Sequence, residues 1–315
     1  MIFAVCAFGA QAFAQTFPAK NVRFISGFAA GGGNDIMARL LGQKLTELWG
    51  QQVVVDNRPG ANTIVAMQIL AGAPADGHTL FMASTTLAIN ASLYSKLPYD
   101  TVADFTPIGI AARAPLVLVV NNSLPARSVR ELIALGKSHP GKLSFGSSGA
   151  GNSTHLVPEM FKAATGIDMV HIAYKGTGIA LIDVMSGQIP LAFSGILPAL
   201  PYIRAGRFRG LAVTTLQRSP AAPELPTLAE SGLPGFEATE WFGIIGPGRM
   251  PGPVVMRINS DLAGVVRAPE IKARLINDGG IPAGDLSPEQ FAVLIKSEIA
   301  KWGKAVKDSG AKADL

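Results

Sequence analysis

The sequence predicts a two-lobed α/β protein, each lobe a mainly parallel sheet flanked by helices, and three observations predict it. Strand-like and helix-like segments alternate along most of the chain, the pattern of parallel strands joined by crossover helices. At 315 residues the chain is long for one hydrophobic core and comfortable for two. Two glycine-rich strand-to-helix turns, at 29–33 and 147–153, fall one in each half.

Residues 21–28 (NVRFISGF) read as a strand leading into the first of these turns. A helix follows over 34–49, with Ile36, Leu40, Leu41, Leu45 and Leu48 on one face. Then come a short buried strand at 52–55, the turn Asn57-Arg58-Pro59-Gly60 and a helix at 63–71. The turn signal Asp76-Gly77 precedes a strand at 79–83. A second series opens with the apolar strand 116–120. Ser128 and Glu131 form a capping box for a helix through Lys137. Strand 143–146 runs into the second turn, followed by a helix to about 164. Strands at 171–174, 191–194 and 210–214 alternate with helices at 178–186 and near Pro201.

The tail differs. After a Pro-rich stretch at 219–226 there is one apolar strand, 242–245, and then helices only. The last has Ser287 as N-cap, Pro288 at its first position and Gln290 at its third. Phe291, Leu294, Ile295, Ile299, Trp302 and Val306 recur at helical spacing, so this helix is expected to return to the first lobe. The expected division is 15–112 with 240–315 for lobe one and 113–239 for lobe two, with crossings near 113 and 239.

Composition narrows the function. The 48% hydrophobic and 16% charged content describes a folded globular protein. A net charge of +5 suits a binder of anions. The 27 basic residues are scattered and aromatics make up 7%, which argues against nucleic acid. Residues 1–14 (MIFAVCAFGAQAFA) carry no charge and end in Ala12-Phe13-Ala14, the small-residue pattern of a secretory cleavage site. The basic start of such a leader is missing, and a buried N-terminal element is the other reading. Cys6 lies inside this segment, so a mature chain would have no thiol for catalysis or metal binding. A lipid anchor on Cys6 would need a better lipobox than Phe3-Ala4-Val5. No later run reaches the ~18 apolar residues of a membrane span.

The chemistry is expected at the two turns, Phe28-Ala29-Ala30-Gly31-Gly32-Gly33-Asn34-Asp35 and Gly146-Ser147-Ser148-Gly149-Ala150-Gly151-Asn152-Ser153. Each opens a helix, so backbone N–H groups and the positive end of the helix dipole point at the crevice beyond the strands. Glycine lets a ligand approach without a Cβ in the way. Neither turn holds Lys or Arg, which suits a small, reversibly bound carboxylate better than a polyphosphate. The plainer reading is that such turns merely connect strands to helices. Enzyme motifs fail at the same residues. Gly146-x-Ser148-x-Ala150 misses G-x-S-x-G, Gly33-Asn34 replaces the P-loop Lys-Ser/Thr, and Thr154 breaks a dinucleotide fingerprint. His78, His139, His155 and His171 show no metal spacing. His155 is open to two readings, a base for Ser147 or Ser148, or a helix-start residue. Lys175 either binds an anion or shapes its loop, and Asp35 either caps its helix or contacts ligand.

At these turns the chain resembles the Bug, or TctC-type, substrate-binding proteins of tripartite tricarboxylate transporters. The resemblance rests on Phe17-Pro18-Ala19-Lys20, Gly31-Gly32-Gly33-Asn34-Asp35, Val54-Val55-Asp56-Asn57-Arg58-Pro59-Gly60 and Ala75-Asp76-Gly77-His78-Thr79-Leu80. It continues through Ser147-Ser148-Gly149-Ala150-Gly151, Tyr174-Lys175-Gly176, Leu211-Ala212-Val213-Thr214, Pro226-Thr227-Leu228-Ala229-Glu230 and Trp241-Phe242-Gly243, to Glu298-Ile299-Ala300-Lys301-Trp302. It implies a periplasmic Venus-flytrap fold with a carboxylate held between the lobes by the two turns, partly through ordered water. The ligand-binding set it implies, together with the turns, is Phe28, Ala29, Gly31, Gly32, Ser84, Ser147, Gly149, Gly151, Asn152, Ser153 and Ser194. Four places depart from the pattern: Ala29-Ala30 where prolines are usual, Asn62-Thr63 where glycines are usual, Pro190 where an Asp is frequent, and Pro158. The last fits best near a first helical turn, which would make its helix begin late.

The expected function is a secreted, periplasmic receptor, monomeric and not membrane-embedded, that closes on a small carboxylate and docks on the membrane subunits of a secondary transporter. No cofactor, metal or catalytic residue is expected. The alternatives are a serine hydrolase using Ser147 or Ser148 with His155, and a sensor component that presents ligand to a membrane kinase.

Overall fold

A computed structural model describes residues 17–309, so the expected leader at 1–14, with Cys6, lies outside the described residues. The first lobe is built on β1 (Val22–Ser26), α1 (Gly33–Trp49), β2 (Val53–Asn57), α2 (Ile64–Ala71), β3 (Thr79–Ser84) and α3 (Thr85–Leu93). The long strand β4 (Phe105–Val120) leads out of it. The second lobe follows with α4 (Val129–Ser138), β5 (Leu143–Ser147), α5 (Ser153–Thr165), β6 (Met169–Ala173), α6 (Thr177–Ser186), β7 (Leu191–Gly195), α7 (Ile196–Arg204) and β8 (Arg209–Val213). The chain returns through β9 (Thr239–Pro247), then α8 (Gly252–Arg267), α9 (Pro269–Asn277), β10 (Ile281–Pro282) and α10 (Pro288–Ser309).

The strands form one curled, mixed sheet in the order β2-β1-β3-β9-β4-β7-β5-β6, with β8 and β10 also bonded to β4. β1, β2 and β3 run parallel, as do β5, β6 and β7. The two lobes meet on β4. It pairs antiparallel with β9 from Phe105 to Pro115, and from Leu116 onward with β7 and β8. Nearly every β4 residue is buried because both faces are covered, which is why the run Leu116-Val117-Leu118-Val119-Val120 shows no polar alternation.

Two elements go beyond the sequence expectation. α3 is buried through Thr85, Thr86, Leu87, Ala88, Ile89 and Asn90, so no polar face marks it as a helix. The first half of β4 carries Pro107 and Arg113 within its apolar run and shifts register twice against β9, after Pro107 and after Ile110. A third difference is β10, which pairs with Ala112 and Arg113 of β4 in a tail expected to hold helices only, and a fourth concerns α5. It begins at Ser153 and carries Pro158 inside it, so the helix does not start late. Because proline has no N–H, the carbonyl one turn earlier simply loses a helical partner there.

The core explains the tail. α1 sets Met37, Leu41 and Leu45 against Val22 and Phe24, and Phe145, Phe161 and Phe193 fill the second lobe. The first half of α10 buries Phe291 and Ile295 beside Ile25, Phe81 and Trp241. Its second half reaches further, placing Trp302 in the cluster around Phe145 and Phe161, where the indole N–H donates to Glu298 at 3.0 Å. Trp302 thus joins α10 to both lobes and is only 2% exposed. Trp302→Ala is expected to destabilise the fold by about 3–5 kcal/mol, the usual cost of emptying a buried tryptophan site. Urea unfolding followed by circular dichroism checks this, and a change under 1 kcal/mol would contradict the clamping role.

Candidate functional site: the interlobe cleft

Five helices begin at one cavity between the lobes. Its lining includes Gly32, Gly33 and Asn34 from the start of α1, Ser84 and Thr86 from α3, Ser153 from α5, Thr177 from α6 and Gly195 at the entry to α7. Phe28, Ser148, Glu240 and Phe242 complete it. Four of these helices, α1, α3, α6 and α7, have no side chain capping their first amides. Only α5 among the five is capped, by Asn152, which accepts from the Thr154 N–H. Elsewhere, α4 is capped by Ser128 and α10 by a Ser287–Gln290 capping box, whereas α2, α8 and α9 also lack a side-chain cap but do not line this cavity. An uncapped helix start presents unsatisfied N–H groups and partial positive charge. Converging starts make an anion site from neutral parts. No lysine or arginine lines this cavity.

The cavity itself is small, about 20 Å³, room for the centre of roughly one water. Phe28 and Ser148 connect it to an outer compartment of about 220 Å³ lined by Gly60, Ala61, Asn62, Thr63, Tyr94, Gly149, Ala150, Tyr174 and Lys175.

Both turns are stiffened by their own hydrogen bonds. Asp35 accepts from the Gly31 N–H at 3.0 Å and from Asn57 and Arg39. Burial pushes the Asp35 carboxyl up, but the bonds from Arg39, Gly31 and Asn57 outweigh it and hold it below the ordinary range. Asp35 is therefore a brace for the first turn. In the second turn, Ser148 N–H donates to Thr154 Oγ1, Gly149 N–H to Ser147 Oγ, and Gly151 N–H to His155 Nδ1. Asn152 Nδ2 donates to Gly149 O at 2.9 Å.

These bonds sort the sequence-predicted residues. Phe28, Gly32, Ser84 and Ser153 line the inner cavity, and Phe28 and Gly149 the outer one. Ser147, Gly31, Gly151, Asn152 and Ser194 line neither, and their polar groups have partners within the protein; Ser194 Oγ donates to Gly195 O. Ala29 N–H donates to Lys175 O across the lobes. Lys175 therefore has a loop-docking backbone and a side chain on the outer compartment. Sequence reasoning missed Glu240, Thr86, Thr177 and Phe242, which come from β9 and from the starts of α3 and α6, outside the two turns it singled out.

The two lobes also touch through Asn62. Its Nδ2 donates to Gly151 O and to Asn90 Oδ1, both at 2.7 Å, while Asn152 Nδ2 donates to Asn62 Oδ1. Ala61, Asn62 and Thr63 all sit at positive φ, 41°, 49° and 75°. Three successive non-glycine residues in the left-handed region store backbone strain. Asn62 thus provides an interlobe bridge. Gly151 cannot be replaced cheaply: its φ is +81° and an added Cβ would lie 2.1 Å from Leu93 of the other lobe.

The arrangement corrects the hydrolase alternative. His155 Nδ1 accepts from Gly151, so it is not a base for Ser147 or Ser148. Ser147 instead lies 2.6 Å from His171 Nε2, is 1% exposed, and donates to Gly149 O. Buried and lining neither compartment, Ser147 is not placed where a substrate in the cleft would reach it. His155 and His171 stack with centroids 3.9 Å apart, and Phe145 stacks on His171 at 5.0 Å.

Two α/β lobes sharing strands, with helix starts converging between them, define a solute-binding receptor. Rpa4515 of R. palustris, solved with adipate, has the same fold at a TM-score of 0.91 and 35% identity, covering 94% of this chain and 99% of that one. MatC of Rhodopseudomonas palustris with bound malate follows at 0.87 and 28%, covering 92% and 100%. The family profile described as tripartite tricarboxylate transporter family receptor matches residues 37–311. Protein BugT of Bordetella pertussis is 33% identical over 314 residues, 99% of this chain and 96% of BugT. The chain belongs to this receptor family and is a binding protein rather than an enzyme. No helix among the described residues is long and apolar enough to cross a membrane.

The histidine stack yields a pH prediction. Burial, with the charges of His155 and Lys162 adding to it, pushes His171 down from 6.5 to about 3. The unfolded chain then binds a proton that the folded one refuses, so stability falls as pH drops from about 6.5 towards 3, by at most ~1.4 kcal/mol per pH unit. His171→Gln, which can still bond Ser147, is expected to flatten that slope in urea titrations between pH 7 and 4. An unchanged slope would show that another group titrates.

Proposed function

We propose that this receptor captures a small carboxylate in the interlobe cleft, outside the cytoplasmic membrane, and delivers it to the membrane subunits of a tripartite transporter. The observation that carries the reading is the set of four uncapped helix starts aimed at one cavity that no cationic side chain lines. A carboxylate satisfies several such amides at once, and the dipoles favour its charge. The adipate and malate held by Rpa4515 and MatC support the same ligand class. The ligand's carboxylate sits against the helix starts and the hydroxyls of Ser84, Thr86, Ser153 and Thr177. The rest of it extends past Phe28 and Ser148 towards Asn62, Tyr94 and Lys175.

Closure follows from the same contacts. The lobes rotate about the β4–β9 crossing, and the Asn62–Gly151 and Ala29–Lys175 bonds form as they meet. The uncharged segment ending in Ala12-Phe13-Ala14 supports export.

A thermal-shift screen of mono-, di- and tricarboxylates against neutral sugars tests the ligand class. An acid at 100 times its Kd should stabilise the protein by roughly 2.7 kcal/mol. Stabilisation by sugars and by none of the acids would overturn it. Asn62→Gly keeps the left-handed turn while removing the interlobe bonds. It should leave the melting temperature of the free protein nearly unchanged and weaken acid binding about tenfold, the worth of one or two hydrogen bonds. Unaltered affinity by calorimetry would remove Asn62 from the closure mechanism.

A further inference from the structure

One acidic side chain stands in the anion site. Glu240, on β9 directly opposite Ala114 of β4, turns its carboxyl group into the inner cavity. One oxygen accepts a short hydrogen bond from the Ser153 hydroxyl at the start of α5. The other lies 2.7 Å from where a Cβ on Gly195 would be, so only glycine at the entry of α7 leaves room for it. Glu240 thus occupies the ends of two of the helices proposed to hold the ligand.

Its surroundings offer no counter-charge. On β4, Arg113 points to the opposite face, where it lines a separate groove with Thr215, Gln217 and Thr239. On α5, His155 holds the Gly151 amide, and Glu159 and Lys162 pair with each other at 3.0 Å. On α1, Asp35 is held by Arg39. Lys175 faces the outer compartment, the buried Glu298 of α10 accepts from the Trp302 indole, and β3, β7, α2 and the first turns of α3, α6 and α7 contribute no titratable group. Two influences act on the Glu240 carboxyl: burial pushes it up to about 7, and the Ser153 bond opposes this.

A ligand carboxylate entering this cavity would meet a second carboxylate in the same small space. Two such groups cannot both stay ionised at contact, and the favourable arrangement shares one proton between them. Resting on the carboxylate reading of the cleft, we propose that Glu240 is a specificity-determining residue that takes up a proton as the ligand binds, so that its neutral form donates a hydrogen bond to the ligand's carboxylate. The receptor then captures the acid together with one proton. A ligand bringing a cationic nitrogen would instead favour ionised Glu240 and release a proton.

Calorimetry with adipate, malate and benzoate, in buffers of different ionisation enthalpy from pH 6.5 to 8.5, reads this directly. For whichever acid binds, the expected result is uptake approaching one proton per ligand at pH 8.5, with affinity falling about tenfold for each pH unit above 7. Glu240→Gln keeps the donor and discards the titration. It should bind the same acid without proton uptake, as tightly as the wild type at pH 6.5 and at least tenfold more tightly at pH 8.5. Its melting temperature without ligand reports whether it folds, and the wild-type proton count stands without it. Binding that is independent of pH with no proton uptake, or Glu240→Gln binding more weakly at pH 8.5, overturns the proposal and leaves the carboxylate reading intact. If no acid binds either protein at pH 6.5, both fall.

Discussion

The ladder between β4 and β9 is the constraint on which the rest depends. β4 gives its first eleven residues to β9 and its last five to β7 and β8, so one strand is an interior member of both lobes. Backbone hydrogen bonds buried in a sheet are costly to break, so this crossing stays paired and keeps the lobes joined. Everything in the cleft is placed relative to it. Glu240 and Phe242 lie on β9 itself, and Ser84 ends β3, paired directly with Phe242. Gly195 ends β7, paired with the first second-lobe residue of β4. The cavity therefore forms where strands end and helices begin on either side of one shared strand.

Much of the fold was legible because crossover topology leaves a periodic mark. α1, α4 and α10 each have a polar and an apolar face, and their caps or terminating glycines stand at the observed ends. α3 left no such mark, since Thr85 through Asn90 are buried on every side and its residues mix Thr, Ala and Asn. Hydrophobic patterning reports contrast between faces, and a helix without contrast is silent.

The cleft was legible in outline. Glycine at 31–33 and at 149 and 151 signals a tight turn into a helix, and both turns do border the cleft region. What glycine does not announce is which amides are already engaged. Gly31 is held by Asp35 and Gly151 by His155, bonds that depend on rotamers and on the next helical turn. Glu240 was hidden for a different reason. It stands beside Trp241 in an otherwise apolar strand, and its partner Ser153 is 87 residues away. A side chain whose meaning comes from a distant neighbour carries no local pattern.

The absence of caps on α1, α3, α6 and α7 has a consequence for how such a receptor changes its ligand over time. A backbone amide N–H is lost only by substitution with proline, so the socket these amides form is indifferent to most substitutions that preserve the turns. A change of ligand would have to come instead through side chains that border the socket, such as Asn62 in the outer compartment and Glu240 in the inner one. A family can then supply many cargoes from one scaffold, keeping the grip constant while exchanging a few teeth around it.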